Sequence, residues 1–125
     1  MNEEKPKGDL ALQTIAMPAD TNANGDIFGG WLMAQMDLGA SVVARTRSKG
    51  KVATVAVNGM IFHKPVLVGD VVSIYAKLLE EGTTSMHVGV EVWISRLPDG
   101  MRLKVTKATF VFVAVNGNGE KRQLP

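Results

Sequence analysis

One segment limits what this chain can fold into more than any other: residues 31–44, WLMAQMDLGASVVA. It is rich in Leu, Met, Ala and Gln, which favour helix, and it holds no Pro. Its only charge is Asp37. Apolar residues fall on every side of a helical wheel, and a helix apolar all round is a buried helix. The expectation is one long helix enclosed by the rest of the chain. Arg45, Arg47, Lys49 and Lys51 follow it, where cations complement the negative end of the helix dipole.

What must enclose the helix reads as strands. Residues 10–17 form a first strand that stops at Pro18. Residues 52–62, VATVAVNGMIF, are β-rich, with a bend or bulge expected at Asn58-Gly59. In residues 71–79, Val72, Ile74, Ala76 and Leu78 share one face. Residues 85–95 alternate most clearly, with Met86, Val88, Val90, Val92 and Ile94 on one side. Pro98-Asp99-Gly100 then marks a hairpin turn. The last strand, residues 101–115, changes phase near Lys107, because Phe110 and Phe112 do not alternate in step with Leu103 and Val105. With no repeat and no linker, residues 1–125 read as a single α+β domain with a loose, charged start over residues 1–9. The fold class is one long central helix wrapped by a curved antiparallel sheet.

Asp37 is the first candidate for chemistry. A buried carboxylate without a partner is costly, and its neighbours one turn away are Met33 and Ser41, neither a cation. Unexplained buried charge marks a functional site or a subunit interface. Gly29-Gly30, just before the helix, lets a ligand approach free backbone N–H groups at the positive end of the dipole. That is the physics of an oxyanion hole. Asp37 lies eight residues after Gly29, about 12 Å along a straight helix at ~1.5 Å per residue. One reacting group cannot touch both within a single chain. If both act on it, Gly29 comes from one subunit and Asp37 from another. Asn24 and Asp26 either cap the helix or line the mouth of the site.

Other readings fail on the residues. Asp20 to Gly25, DTNANG, resembles the start of a calcium loop, but the twelfth position is Trp31 rather than a bidentate Glu. His63 and His87 have no metal-ligand spacing, so no metal and no cofactor is expected. There is no cysteine and no G-x-S-x-G elbow. The net charge of +2 is too mild and too scattered for a nucleic-acid partner. No apolar run reaches membrane-spanning length, and the charged start is no signal sequence. The expected setting is cytoplasmic.

Residues 16–31, AMPADTNANGDIFGGW, closely resemble the YciA-type acyl-CoA thioesterases of the hotdog superfamily. So do Gln35-Met36-Asp37, the stretch from Val55 through Pro65 to Val68-Gly69-Asp70, and Val90-Glu91-Val92-Trp93. The resemblance covers nearly the whole chain. It implies hydrolysis of acyl-CoA to CoA and a carboxylic acid with broad chain-length tolerance. It also implies a hotdog homodimer, commonly assembled as a trimer of dimers. Asp37 matches the family's catalytic Asp, and the backbone N–H of Gly29 matches its oxyanion donor. Phe28 stands where many hotdog thioesterases carry a His. Asp26 stands where related enzymes carry an Asn, and two carboxylates close together would raise one pKa, which leaves its role open. Asn24, Phe28 and Gly30 are substrate-side candidates; Lys64, Thr84 and Ser85 are candidates for the CoA phosphates. The rivals are a hotdog dehydratase, which needs a catalytic His near the helix, and a non-catalytic acyl-CoA-binding module.

Overall fold

The computed structural model describes residues 4–125. In chain order the elements are strand β1 (Asp9–Ile15), helix α1 (Gly29–Ser48) and strands β2 (Val52–Asn58), β3 (Val71–Glu81), β4 (Ser85–Arg96) and β5 (Met101–Ala114). The strands form one antiparallel sheet in the order β1-β3-β4-β5-β2, and α1 crosses one face of it. This is the hotdog fold. Of the expected loose start, residues 1–3 lie outside the described residues. Lys7 N–H donates to Glu91 Oε1 at 3.3 Å, and β1 begins at Asp9.

The helix is longer than the apolar run that announced it. It starts at Gly29, gains the Arg45-Thr46-Arg47-Ser48 turn, and stops at Lys49, whose φ of 58° places it in the left-handed region that ends helices. Arg122 closes that end by donating Nη1 to the Ser48 carbonyl at 2.9 Å. Leu32, Met36, Ala40 and Ala44 form the stripe that packs on the sheet. Opposite them sit Val72, Ile74, Val88, Val90, Val92, Phe110 and Phe112, all fully buried. Gly39 lets the two layers approach closely, since a Cβ there would stand 2.6 Å from Ile74 Cγ2.

Two expectations need correction. The helix is not enclosed all round in this chain: Met33, Leu38 and Val42 are exposed at 41, 55 and 49%. One sheet covers one face of a helix and no more. The second strand ends at Asn58 rather than Phe62; Gly59, with φ of 73°, makes the bend there, and residues 59–70 run irregularly to β3. The bulge within β2 falls earlier, between Thr54 and Ala56, so that Val55 is the extra residue. The phase change in β5 has the same cause. Thr106 pairs with Val92 and Lys104 with Trp93, leaving Val105 as an extra residue that flips the alternation toward Phe110 and Phe112.

Candidate active site

Asp37 sits on the flank of α1 between the buried stripe and the exposed face, and is half-buried rather than enclosed. Its Oδ1 accepts a hydrogen bond from Thr54 Oγ1 at 2.7 Å. Thr54 lies on β2, next to the bulge at Val55, and bulges commonly re-aim side chains beside active sites. The carboxylate that looked partnerless from its helical neighbours therefore has a hydroxyl partner from the adjacent edge strand. Sequence reasoning missed Thr54, whose signal was only a polar residue inside a β-rich run.

Gly29 is the first residue of α1, with Phe28 as its N-cap and no side chain capping the end. The first bond closing the helix runs from Leu32 N–H to the Phe28 carbonyl at 3.2 Å. Among the described residues, the N–H groups of Gly29, Gly30 and Trp31 meet no protein acceptor. Gly29 opens onto a small pocket of about 130 Å³ lined by Ile27, Leu32, Phe62, Lys64, Pro65 and Val66. Phe28 folds back over Gly30, where a Cβ would stand 2.5 Å from the ring, so Gly30 is required by its own N-cap.

Asn24 and Asp26 do not cap the helix. Asn22 organises the loop instead: its Oδ1 accepts from the N–H of Asn24 at 2.9 Å and of Asp26 at 3.2 Å. This satisfies the loop's own backbone and leaves the Asn24 and Asp26 side chains exposed beside the helix start. Asn22 lies in a stretch that reads as turn and capping residues from the sequence, but nothing there singles it out as the residue that organises the loop.

The helix start is held by a linkage to the sheet. Arg96 donates Nε and Nη2 to the two oxygens of Asp70, both at 2.9 Å, and Leu67 N–H donates to Asp70 Oδ2 at 2.8 Å. Asp70 is buried, and burial pushes its carboxyl up. The Arg96 hydrogen bonds and the Leu67 amide outweigh this and hold it below its ordinary value of 3.8. The pinned Pro65–Leu67 backbone in turn offers the Val66 carbonyl to Ile27 N–H at 3.3 Å, two residues before Gly29.

Asp37 and Gly29 stand two helical turns apart on an uninterrupted helix, about 12 Å along its axis. Lys64 joins Gly29 at the small pocket. Thr84 and Ser85 do not. They lie at the opposite end of the chain's fold, where the Thr84 carbonyl accepts from Ala114 N–H and Arg47, near the C-terminus of α1, pairs with Glu81 at 2.7 Å. Within one chain the candidates thus fall into three places: Asp37 with Thr54, Gly29 with Phe28, Gly30, Asn24, Asp26 and Lys64, and Thr84 with Ser85, away from the Gly29 pocket but two strands across the sheet from the Ala53-Thr54 stretch. His87 lies on β4, 3.7 Å from Glu80, and His63 is on the exposed stretch after β2; neither is on α1. No helix of the described residues is long and apolar enough to cross a membrane.

A family model described as the thioesterase superfamily matches residues 24–98. The chain is 52% identical to the acyl-CoA thioester hydrolase YciA of Salmonella typhimurium over 126 aligned positions, covering 98% of this chain and 95% of that one. It superposes on the crystal structure of the hexameric thioesterase y2039 from Yersinia pestis with a TM-score of 0.93 at 52% identity, covering 97% of this chain and 98% of that one. It superposes equally on HI0827, described as a hexameric broad specificity acyl-coenzyme A thioesterase, with a TM-score of 0.94 at 51% identity, covering 98% and 84%. This chain, with its hotdog fold and its helix-borne Asp37, belongs to the YciA acyl-CoA thioester hydrolases of the thioesterase superfamily.

Proposed function

We propose that this protein hydrolyses acyl-CoA thioesters to CoA and a carboxylic acid, at a site built from two copies of the chain. The observation that carries the reading is the placement of two complementary half-sites that one chain cannot join. Asp37 is a half-buried carboxylate aimed by Thr54 at the edge of the exposed helix face. Gly29, with Gly30 and Trp31 after it, offers unpaired N–H groups at a helix N-terminus about 12 Å away along the axis.

The exposed surface supports a second copy as the missing half. β2 is an edge strand, and its Val55 and Val57 are exposed at 55 and 37%. Met33, exposed on α1, lies one helical turn before Asp37. An unpaired apolar edge beside an apolar helix flank invites pairing with the same surface of another copy. Two-fold pairing at β2 sets two α1 helices side by side, so that Gly29 of each faces Asp37 of the other. Three such dimers would give this chain a hexamer, and the Yersinia protein and HI0827 are each described as hexameric.

In this site the thioester oxygen lies on the Gly29 N–H, where developing negative charge meets the helix dipole. Asp37 of the other copy either takes a proton from water as that water attacks the carbonyl, or attacks it directly to give an anhydride that water then opens. In both routes the C–S bond breaks and the CoA thiolate leaves. Thr54 holds the carboxylate in one rotamer and is a positioning residue. Phe28, with Gly30 beneath it, and Asn24 flank the oxyanion donor on the substrate side; Asp26 borders them. The chemistry calls for no group beyond the chain and water, and an acyl-CoA substrate fits a cytoplasmic setting. Release of free thiol from a panel of acyl-CoAs tests the reading. Retention of acyl-CoA without turnover would replace it with a binding module.

A further inference from the structure

Thr106 is completely buried in β5, paired with Val92 on the face that packs against α1. A buried hydroxyl is costly unless it is bonded, and valine would fill the same space without that demand. Its Oγ1 donates to the Ile61 carbonyl at 2.5 Å; the Lys107 carbonyl, at 3.5 Å, is too distant to compete. The β5 bulge supplies a second bond. It takes Val105 out of the pairing with β4, and the Val105 carbonyl accepts from His63 N–H at 2.8 Å. Together the two bonds pin the peptide units on either side of Phe62. Those units place the Phe62 ring beside Gly29, where an added Cβ would lie 3.8 Å from it. Phe62 and Gly29 line the same pocket of about 130 Å³. The far end of the segment is held separately, by Asp70 at the Leu67 amide and Arg96 at the Pro65 carbonyl.

We infer that Thr106 is a positioning residue for the hydrolysis: by way of the Ile61 carbonyl it holds the Phe62 ring beside Gly29 and keeps water from the oxyanion donor. The inference rests on the proposed acyl-CoA reading, in which the thioester oxygen lies on the Gly29 N–H. That donor stabilises developing charge best where water is excluded and nothing has to reorganise during the reaction. Phe62 is 47% exposed on a stretch without regular structure, so the place of its ring depends on the backbone that carries it. Freeing the Ile61 carbonyl lets that backbone shift and the ring swing out. A misplacement of about 1 Å at a site can cost ~10²-fold in rate. Thr106 itself touches no reacting atom, being sealed in the core, and acts only through the Ile61–His63 backbone.

The test is a double-substitution cycle measured on hexanoyl-CoA. Thr106→Val keeps the shape of the side chain and removes the donor. Its kcat is expected to fall about tenfold with KM little changed, and Thr106→Ser to recover most of the rate. A smaller folded fraction would also lower kcat, so the deciding comparison is made in Gly29→Pro, which lacks the oxyanion donor. There Thr106→Val is expected to cost nothing further, whereas a loss of folded protein lowers both backgrounds by the same factor. Phe62→Ala, on the exposed stretch outside the sheet, is expected to show the same one-sided loss and decides the matter if Thr106→Val does not fold. The same factor in both backgrounds, no loss in either, or a Thr106→Ser enzyme as slow as Thr106→Val overturns this inference and leaves the hydrolase reading standing. A wild type inactive on acyl-CoAs overturns the two together.

Discussion

Thr54 Oγ1 stands 2.7 Å from Asp37 Oδ1, joining the edge strand β2 to the flank of α1 across 17 residues of sequence. The bond fixes the one carboxylate of the helix at the boundary between core and open surface. A hydrogen bond to a charged group contributes about 1.5–3 kcal/mol. Thr54→Val removes the donor and keeps the shape, so kcat is expected to fall about 10- to 100-fold with KM little changed. Thr54→Ser, which keeps the hydroxyl, is expected to recover most of the rate. Steady-state kinetics on one acyl-CoA decide it; a Thr54→Val enzyme with wild-type kcat would remove Thr54 from the site.

The oxyanion role of Gly29 rests on its N–H and not on a side chain. Proline at the first position of a helix is tolerated and lacks that N–H. Phe28, with φ of −64° and ψ of 126°, already has the backbone a residue before proline adopts. Gly29→Pro is therefore expected to fold while losing about 10²–10³ in kcat. Gly29→Ala keeps the N–H, and its Cβ would meet nothing closer than Phe62 at 3.8 Å, so it should stay far closer to wild type.

The Asp70–Arg96 pair predicts a defined pH dependence of stability. The Asp70 carboxyl is held below 3.8 in the folded chain, so it stabilises the fold above that value and the contribution is lost as pH falls through the folded pKa. Asp70→Asn is expected to lower unfolding free energy at pH 7 by about 2 kcal/mol, since Arg96 is left with half its partners yet still reaches solvent. The difference from wild type should shrink below about pH 4. Urea midpoints at pH 7 and in the acid range measure both.

Gly39 is the point of closest helix–sheet approach. An exposed helix would gain about 1 kcal/mol from Gly→Ala. Here the new Cβ would fall 2.6 Å from Ile74 Cγ2 and 3.2 Å from Ile74 Cβ, and overpacking of that kind costs about 1–3 kcal/mol. Gly39→Ala should lower the urea midpoint, and a higher midpoint would show that the layers separate freely.

Much of this architecture was legible because periodicity reports directly on burial. The phase slip between Val105 and Phe110 located the β5 bulge within two residues, since one extra residue reverses an alternation of period two. Other features were illegible for equally physical reasons. The Thr54–Asp37 bond depends on where the sheet's edge meets the helix, and no local pattern encodes it. The sequence leaves Asn24 and Asp26 open as either helix caps or residues of the site mouth, and the first of these is excluded only by the structure, in which Asn22 holds the loop's amides and Phe28 takes the cap position. The apolar ring of residues around α1 read as burial within one chain. Met33, Leu38 and Val42 are exposed there, because apolarity records that a surface is hidden without recording which molecule hides it.

That point leads to the central claim, that each site takes Gly29 from one copy and Asp37 from another. Asp37→Asn and Gly29→Pro are each expected to be nearly inactive alone. In a mixed dimer one site holds both substitutions and the other holds neither. Equal amounts unfolded, mixed and refolded together should regain about a quarter of wild-type acyl-CoA hydrolysis, because half the dimers are mixed and each has one intact site. If the mixture, shown to contain mixed dimers by mass, stays as inactive as its parents, the two residues do not act across chains and the account is wrong.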